Sequence, residues 1–424
     1  MDLLSTHARQ RDPFDFAQDD YRIMVLRPEH SYVDANAHAG FMPLRTRQAT
    51  RRSDSPGLVQ SPGYLGLSSV SEVWVQKAER FLAACRREPV DRTPVWFMRQ
   101  AGRYQPEYRA IREKHTILEI ISSAELSAQI TLLPVHQLGV DAAIIFADIL
   151  PPLVPMGMDL EFAAGEGPVL HNPLRDRASI EALRGYNPSG HLKSTLDAIS
   201  IVRRELNDEV ALIGFAGGPF TLASYAIEGG SSRTYQRTKA LMYEDEPTWQ
   251  LLMEKLVTMT VDYLKAQIKA GAQCVQLFDS WAGSLAPNDY RRYVLPATKR
   301  IFDAVNAEGI PTILFGTDTA GMLDLVAEAG ASVVGVDWRI PLDRGWELIG
   351  HDRAVQGNLD PLVLFAPRNE IETRVNDILD LAADRPGHIF NLGHGILPQT
   401  PVANVRAVVE MVHSYQFQSI GTPQ

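Results

Sequence analysis

The sequence predicts an α/β protein with a single (β/α)₈ TIM barrel, preceded by a disordered N-terminal extension. Three observations carry this prediction. Short apolar runs alternate with amphipathic stretches, and the cycle occurs eight times after residue 73. The runs are continuously apolar, which is typical of strands buried on both faces of a parallel sheet. Each run is bounded by Gly, Pro, Asp or Asn, which form turns. Eight such units predict the barrel, with residues 73–424 as one domain.

The elements are predicted in chain order from these patterns. The eight strands are the apolar segments at residues 94–98, 142–147, 211–216, 274–280, 312–316, 333–337, 354–357 and 389–392. The amphipathic helices are at residues 124–138, 192–206, 248–270, 289–307, 322–329, 342–349, 370–382 and 402–415. Residues 160–170, LEFAAGEGPVL, have two glycines between apolar flanks and predict a small hairpin beside the barrel mouth.

Length, composition and charge limit the class of protein. The chain has 424 residues, of which 45% are hydrophobic and 22% are charged, as in ordinary soluble globular proteins. No apolar segment approaches the ~18 residues of a membrane span, so no membrane insertion is expected. The net charge of −10 argues against a nucleic-acid binder, which needs a broad basic surface. A small-molecule partner fits better.

Only two cysteines occur, Cys85 and Cys274. Their spacing matches neither a disulfide framework nor a thiolate metal site. We therefore expect a reducing compartment, the cytoplasm, and no metal ligand set built on cysteine.

Residues 1–72 differ in composition from the rest of the chain. Asp2, Arg9 and Asp12 interrupt any apolar stretch, so this is not a secretory signal. Residues 36–71 carry four arginines and a single acid, a composition that weakly resembles an organelle transit peptide. Because the segment lacks periodicity and has few apolar residues, we expect a disordered extension, or translation from a start codon upstream of the true one.

The segment TPVWFMRQAGRYQPEYRAIR, residues 93–112, is the sharpest functional signal. An apolar run stops abruptly, and four arginines follow within fourteen residues. Gly102 and Pro106 forbid a regular helix, so Arg99 and Arg103 are expected in a shaped loop. Guanidinium groups suit carboxylate or phosphate, which predicts an anion site. Solvated arginines, or arginines paired with nearby acids, explain the same pattern.

Further polar residues follow the predicted strands, where the active sites of these barrels lie. They are Asp148, Tyr225, Ser280 and His394. Each has a structural explanation, since an Asp caps turns, a His is often hydrogen-bonded within the fold and an aromatic packs in a core. A carboxylate at the end of an apolar strand can instead bind ligand N–H groups and stabilise positive charge. His394 lies between two glycines, which would let it approach a ligand closely.

Several segments resemble the uroporphyrinogen decarboxylases of tetrapyrrole biosynthesis. MRQAGRY and GFAGGPFTLASYAIEGG are similar to two signatures of that family, and FADIL, QLFDSWAG, VVGVDW, QGNLDP and NLGHGI match further segments in the same order. The resemblance covers about residues 77–413. It implies a homodimeric carboxy-lyase that uses no metal or organic cofactor. The implied reaction converts uroporphyrinogen III to coproporphyrinogen III, as four acetate side chains lose carbon dioxide and become methyl groups.

The resemblance also implies which residues line the substrate cleft. They are Arg99, Ala101, Arg103, Arg112, Asp148, Tyr225, Ser280 and His394. The arginines at 103 and 112 would bind substrate carboxylates, and the last three residues of the set would orient the substrate through hydrogen bonds. Arg109 is not in the set.

The implied chemistry needs a negative group and a proton donor. Asp148 would bind the pyrrole N–H groups and stabilise the cation that forms when a pyrrole carbon is protonated. Arg99 is the candidate for proton delivery, but a guanidinium is a poor acid at neutral pH. Arg99 could instead position a substrate carboxyl or a water. His394 titrates in the right range and is the rival donor.

Two alternative functions fit parts of the sequence. A zinc-dependent methyltransferase of the same barrel family, acting on thiols or corrinoid proteins, needs His and Cys ligands near strand ends. Cys274 instead starts its strand, and Cys85 precedes the barrel. A non-catalytic tetrapyrrole carrier would also use arginines, but it would not need Asp148 together with a proton donor.

Overall fold

The computed structural model describes residues 77–163 and 167–417. The predicted extension, residues 1–72, and the predicted boundary after it lie outside the described residues. The described chain is an α/β fold, in which seven parallel strands form one curled sheet and helices alternate with them. Seven of the eight predicted strands belong to this sheet.

The strands of the described chain are β1 (Ala142–Ile144), β2 (Leu160–Ala163), β3 (Gly167–Leu170), β4 (Ala211–Gly217), β5 (Cys274–Phe278), β6 (Thr312–Phe315), β7 (Val333–Gly335), β8 (Ala354–Gln356) and β9 (His388–Ile389). The main sheet has the order β1-β4-β5-β6-β7-β8-β9, and all its neighbours are parallel. β4 is buried at every residue, as expected for a strand covered on both faces. β2 and β3 pair antiparallel, which confirms the predicted hairpin.

The structure has no regular strand at residues 94–98, where the sequence predicts the first one. Val95 alone is paired there, in a parallel bridge with Phe390, just after β9. On its other side, the Asp141 N–H donates to the Val95 carbonyl at 2.9 Å, just before β1. Met98 and Arg99 then form a turn, which stops the ladder. The segment is therefore hydrogen-bonded next to both edges of the sheet.

Polar side chains cross the interior from this segment. Trp96 Nε1 donates to Gln356 Oε1 at 2.9 Å, and Gln356 Nε2 donates to Gln276 Oε1 at 3.3 Å. All three side chains are buried. Gln356 is on β8 and Gln276 on β5, which are not neighbours in the sheet. Only a strongly curled sheet brings these strands within side-chain reach of each other.

The α-helices of the described chain are α1 (Lys77–Cys85), α2 (Pro106–Arg112), α3 (Ile117–Ser122), α4 (Ala124–Leu138), α5 (Arg177–Glu181), α6 (Pro188–His191), α7 (Lys193–Leu206), α8 (Pro219–Glu228), α9 (Gln236–Glu244), α10 (Glu246–Ala270), α11 (Pro287–Asp289), α12 (Leu295–Asn306), α13 (Leu323–Glu328), α14 (Leu342–Ile349), α15 (Arg368–Ala382) and α16 (Val402–Ser414). Short 3₁₀ turns lie at Pro151–Leu153, Ala282–Ser284, Ala320–Met322 and Pro361–Phe365. The sequence predicts α4 and α14 with these bounds. In α14 the buried residues follow the helical period, as in a helix with one face on the sheet.

One predicted helix, residues 289–307, is interrupted near its start. The chain forms the short α11, then a π-helical turn at Tyr290–Val294, and only then α12. Pro296 explains the wider turn, because a proline has no N–H and its ring clashes with the carbonyl four residues earlier. The sequence pattern gives the apolar period but not this local adjustment.

A buried charged cluster lies at the amino ends of the strands. Arg80 on α1 donates from Nε and Nη2 to Asp91 at 2.6 and 2.7 Å, and from Nη1 to Asp141 Oδ1 at 2.6 Å. The other oxygen of Asp141 accepts the Val95 N–H at 2.8 Å and contacts His413 Nε2 on α16 at 2.7 Å. The Asp141 side chain is fully buried. One carboxylate thus joins α1, the segment around Val95, the start of β1 and α16.

Replacing Asp141 by Asn should destabilise the fold by about 3 kcal/mol, because the buried Arg80 and the groups around it lose a compensating charge. Urea unfolding monitored by circular dichroism measures this loss. Asp303→Asn is the control, since its pair with Lys299 is exposed on a helix surface and should contribute about 0.5 kcal/mol or less. Similar losses for the two variants would contradict a special role for Asp141.

Candidate active site

Asp148 lies shortly after β1, at the carboxyl end of the sheet. Its Oδ1 accepts the Leu150 N–H at 2.9 Å, so it also has the turn-capping role of an aspartate. Burial raises the pKa of the Asp148 carboxyl, while the Leu150 N–H and the positive charge of Arg99 oppose that rise. The carboxyl is therefore half-buried, and the charge of Arg99 acts on it.

Arg99 sits in the turn that follows the Val95 pairing. Its backbone is left-handed, with a φ of 59°, and its side chain is exposed. The side chain passes over Gly395, because a Cβ added to Gly395 would lie 2.4 Å from Arg99 Cδ. The absence of a side chain at Gly395 thus leaves the space that the Arg99 side chain occupies.

His394 is half-buried between aromatic rings at the carboxyl end of the sheet. Its ring is stacked on Trp338, with centroids 6.4 Å apart and planes at 19°. Burial and the positive charges of Arg99 and Arg339 lower its pKa to about 4, so the imidazole is neutral at neutral pH. The sequence suggests that the flanking glycines let His394 approach a ligand, but they make room for protein atoms instead. Gly395 accommodates Arg99, and a Cβ at Gly393 would meet the Trp338 backbone at 2.4 Å.

A row of aromatic rings, which sequence reasoning missed, lines the carboxyl ends of neighbouring strands. Phe215 on β4 is 5.5 Å from Phe278 on β5, and Phe278 is 6.2 Å from Phe315 on β6. Phe315 is 6.4 Å from His394. We call these three phenylalanines the aromatic floor. A signal for it exists in the sequence, since each is an aromatic residue at or within two residues of the end of its strand, but the same pattern occurs in any buried core.

Tyr225 and Ser280 are linked through Trp281. Trp281 directly follows Ser280 in the chain, and the centroid of its ring lies 4.1 Å from that of Tyr225 on α8. Asp279, which is buried, fixes this arrangement. Its carboxylate accepts the Thr221 N–H at 2.8 Å and the Thr221 hydroxyl at 2.7 Å, at the start of α8. Asp279 does not stand out in the sequence, because its partner Thr221 is 58 positions away in the chain.

The other arginines lie on or beside α2. Arg112 donates to the His115 carbonyl and lies near Tyr108, whose ring is 5.5 Å from Phe146, shortly before Asp148. Arg109 donates to the carbonyls of Arg103 and Tyr104 at 2.9 and 3.0 Å. Arg109 therefore supports the loop that carries Arg103, a role that the sequence does not indicate.

The structure thus groups the predicted site residues into three sets. The Arg99 side chain lies against Gly395, next to His394, and its charge acts on the Asp148 carboxyl and on the His394 imidazole. Tyr225 and Ser280 form a second set on α8 and the β5 loop. Arg103, Arg112 and the half-buried Ala101 form a third around α2, where Ala101 packs in the small apolar cluster of Tyr108. Ile149 lies within contact distance of a Cβ placed at Gly217, which links the Asp148 loop to the start of α8.

Comparison with known proteins gives a consistent result. Residues 76–415 match the sequence model of the family described as "Uroporphyrinogen decarboxylase (URO-D)". The protein named "Uroporphyrinogen decarboxylase" from Sorangium cellulosum (strain So ce56) is 56% identical over 342 residues, which are 81% of this chain and 98% of the relative. The protein of the same name from Roseiflexus sp. (strain RS-1) is 58% identical over 344 residues, 80% of this chain and 99% of the relative.

A solved structure titled "methyltransferase from Methanosarcina mazei" has a TM-score of 0.69 and 22% sequence identity. It covers 80% of this chain and 98% of its own, and the likeness concerns the fold. Among the described residues, His, Cys, Asp and Glu form no group of three or more that could hold a metal ion. No helix in the described ranges is long and apolar enough to cross a membrane.

The neutral His394 predicts a pH dependence of stability. Its folded pKa of about 4 lies below the ordinary value, so between pH 6.5 and 4 the unfolded chain binds the proton more readily. The stability that depends on a neutral His394 is therefore present at pH 7. It is lost as the pH falls through that window, and the free energy of unfolding drops by at most about 3 kcal/mol.

His394→Gln should therefore lose less stability than the parent between pH 7 and 4.5, as measured by urea unfolding at several pH values. His388 is also buried with a lowered pKa of about 4, but it is present in both proteins and cancels in the comparison. His136→Gln, at an exposed site on α4, controls for removal of an imidazole. Equal pH slopes for all three proteins would rule out the assignment of this term to His394.

Proposed function

The chain belongs to the uroporphyrinogen decarboxylase family, and we propose that the cleft at the carboxyl ends of its strands is the active site of that reaction. It is a carboxy-lyase of porphyrin biosynthesis that acts on uroporphyrinogen. The proposal adds the substrate isomer, uroporphyrinogen III, the loss of all four acetate carboxyl groups, and the roles of individual residues. The observation that carries it is the packing of the Arg99 side chain against Gly395, next to His394 and the aromatic floor, with the charge of Arg99 acting on Asp148.

The fold proposed for this function is the closed eight-stranded barrel, with residues 94–98 in the place of the first strand. The paired Val95 supports it, because its hydrogen bonds reach residues next to β1 and next to β9. At the carboxyl end, the Ile396 N–H donates to the Met98 carbonyl at 2.9 Å, and the Met98 N–H donates to Asn391 Oδ1 at 3.1 Å. Closure there would hold Arg99 and His394 on the same rim.

The substrate is a macrocycle of electron-rich pyrroles with eight carboxylates around it. Apolar ring faces and an anionic edge suit a cleft with an aromatic floor and a cationic rim. Arg103 and Arg112 would bind peripheral carboxylates, and Arg109 would keep the loop of Arg103 in place. Tyr225 and Ser280 would orient the macrocycle through hydrogen bonds, with Ala101 part of the lining.

Decarboxylation of an acetate side chain needs a place for the electrons of the breaking carbon–carbon bond. Protonation of the adjacent pyrrole carbon makes the ring cationic, and the cationic ring can accept these electrons. The bond electrons then flow into the ring, carbon dioxide leaves, and a second proton adds to the exocyclic carbon to form the methyl group. Loss of the ring proton restores the pyrrole. Asp148 would accept the pyrrole N–H groups and stabilise each cation, an effect strengthened by its burial.

The charge state of His394 favours a role other than proton donor. With a pKa of about 4, its imidazole is neutral at neutral pH, and the N–H of a neutral imidazole is a very weak acid, so His394 would act through hydrogen bonds. Arg99 would hold a substrate carboxyl or a water in position for proton transfer, since its guanidinium is itself a poor acid. The homodimer and the cytoplasmic location stay predictions.

Anaerobic incubation with uroporphyrinogen III and chromatography of the products test the function. The four-carboxylate product is expected, and unchanged substrate, as a non-catalytic carrier would leave it, would refute the proposal. Asp148→Asn should lower kcat by about 10²- to 10³-fold, because the group that stabilises the cation is lost. Arg109→Gln, which only loosens the loop, should cost much less.

The same Asp148→Asn protein should be more stable than the parent at pH 7. Burial raises the pKa of this carboxyl, so the charged form is costly in the folded state. Above the ordinary aspartate pKa, the folded protein holds the Asp148 proton more tightly than the unfolded chain does. The free energy of unfolding therefore falls as the pH rises through that region. The gain from Asn should accordingly shrink as the pH approaches 4. Loss of stability at pH 7 would contradict this assignment.

Gly395→Ala should reduce activity about 10- to 100-fold. The new methyl group would displace the Arg99 side chain, and a displacement of about 1 Å is enough to impair a catalytic group. Thermal melting should show a folded protein, since Gly395 does not have a left-handed backbone. Gly321→Ala is the matched control, with no atom within 4 Å of the added Cβ. If Arg99→Ala and Gly395→Ala differ strongly in kcat, Gly395 does not act through Arg99.

A further inference from the structure

Arg339 lies in the loop after β7, at the carboxyl end of the sheet. Its guanidinium carbon is 4.0 Å from the centre of the Trp338 ring, and Trp338 is stacked on His394. Arg339, Trp338 and His394 thus form a stack in which the guanidinium lies over the indole ring and the imidazole plane is nearly parallel to it. The positive charges of Arg99 and Arg339 both act on His394.

A buried carboxylate holds the base of this stack. Asp337 Oδ2 accepts Arg339 Nη1 at 2.8 Å, and Asp337 Oδ1 accepts the Arg339 N–H at 3.0 Å. The Asp337 side chain is 1% exposed. Asn358 donates to the carbonyls of Asp337 and Ile340, both at 2.8 Å, which fixes the loop itself. The guanidinium is therefore held in place by one partner that cannot leave.

The second partner of Arg339 is different. Arg339 Nε pairs with Asp318 Oδ1 at 2.7 Å, and the Asp318 side chain is 53% exposed. Asp318 has a left-handed backbone, with a φ of 58°, and its N–H donates to Asp337 Oδ2 at 2.6 Å. An exposed ion pair of this kind contributes little to stability, so its carboxylate can exchange with another at small cost.

We infer that Arg339 is a further substrate-binding residue and that Asp318 occupies its guanidinium in place of a substrate carboxylate until the substrate binds. This rests on the proposed function, because only a ligand with carboxylates spread around its edge reaches Arg99 and Arg339 at once. Asp337 and Trp338 keep the guanidinium oriented. The Arg339 Nε–H, which pairs with Asp318 in the free protein, pairs with a substrate carboxylate in the complex. No bond is made or broken in this exchange.

The inference predicts opposite effects of the two partners on KM. Arg339→Gln should raise KM for uroporphyrinogen III about tenfold, the effect of losing one hydrogen bond to a charged group, with kcat within about twofold. Asp318→Asn should lower KM about threefold, because a competing exposed carboxylate is removed. In an Arg339→Gln background, Asp318→Asn should have no effect on KM.

Arg300→Gln and Glu254→Gln are the matched controls. They break a bidentate exposed pair between α12 and α10, with side chains 50% and 53% exposed, and should leave KM unchanged. Circular dichroism and thermal melting check that each variant is folded. Arg339→Lys adds a further test, since lysine keeps the charge but loses the fork and the stacking, and should give an intermediate KM.

A structural role alone would move both variants in the same direction and would change melting temperature without separating KM from kcat. An unchanged KM in Arg339→Gln, or a raised KM in Asp318→Asn, would overturn the inference while the parent still decarboxylates uroporphyrinogen. If the parent itself yields no product, the proposed function fails instead. The two failures are therefore distinguishable in one set of assays.

Discussion

The pairing between Asp141 and Val95 is the constraint on which the cleft depends. The Asp141 N–H donates to the Val95 carbonyl, and the Asp141 carboxylate accepts the Val95 N–H, so one residue fixes two backbone groups of the same neighbour. This sets the register of the segment that ends in Arg99. A slip of one residue would move that segment by about 3.3 Å and would take the Arg99 side chain away from Gly395, against which it lies. The buried Arg80 makes the register costly to leave.

The two ends of the sheet use charge in different ways. At the amino end, Arg80 and Asp141 satisfy each other inside the protein, and their function is to hold the fold. At the carboxyl end, burial raises the pKa of Asp148 and lowers that of His394. Both pKa shifts favour the uncharged form. The protein therefore does not fully compensate a charge on either Asp148 or His394. This division matches barrel enzymes in general, where stability resides at one face and chemistry at the other.

The sequence predicts the repeating part of this molecule well and its exceptions poorly. Seven strands, the hairpin and the long helices follow from apolar periodicity, because burial alone determines them. The segment around Val95 does not form the predicted strand, since its pairing depends on residues 46 and 295 positions away. The rim residues can be found because they follow strands. The aromatic floor, Asp279 and Asp337 cannot, because their importance lies in contacts with partners that the sequence does not place beside them.

Under the proposed function, the neutral state of His394 suits a cleft that would stabilise a cationic intermediate. A positive imidazole near the pyrroles would oppose the charge that develops on the ring, whereas a neutral one does not. Burial, together with the positive charges of Arg99 and Arg339, keeps it neutral, and the Arg339 guanidinium pairs with Asp318 and Asp337. Under the proposed function, Asp148 would be the negative group that the pyrrole N–H groups meet. The cations that would bind the substrate edge would then also protect the ring from a competing positive charge, which would link substrate binding to stabilisation of the cation.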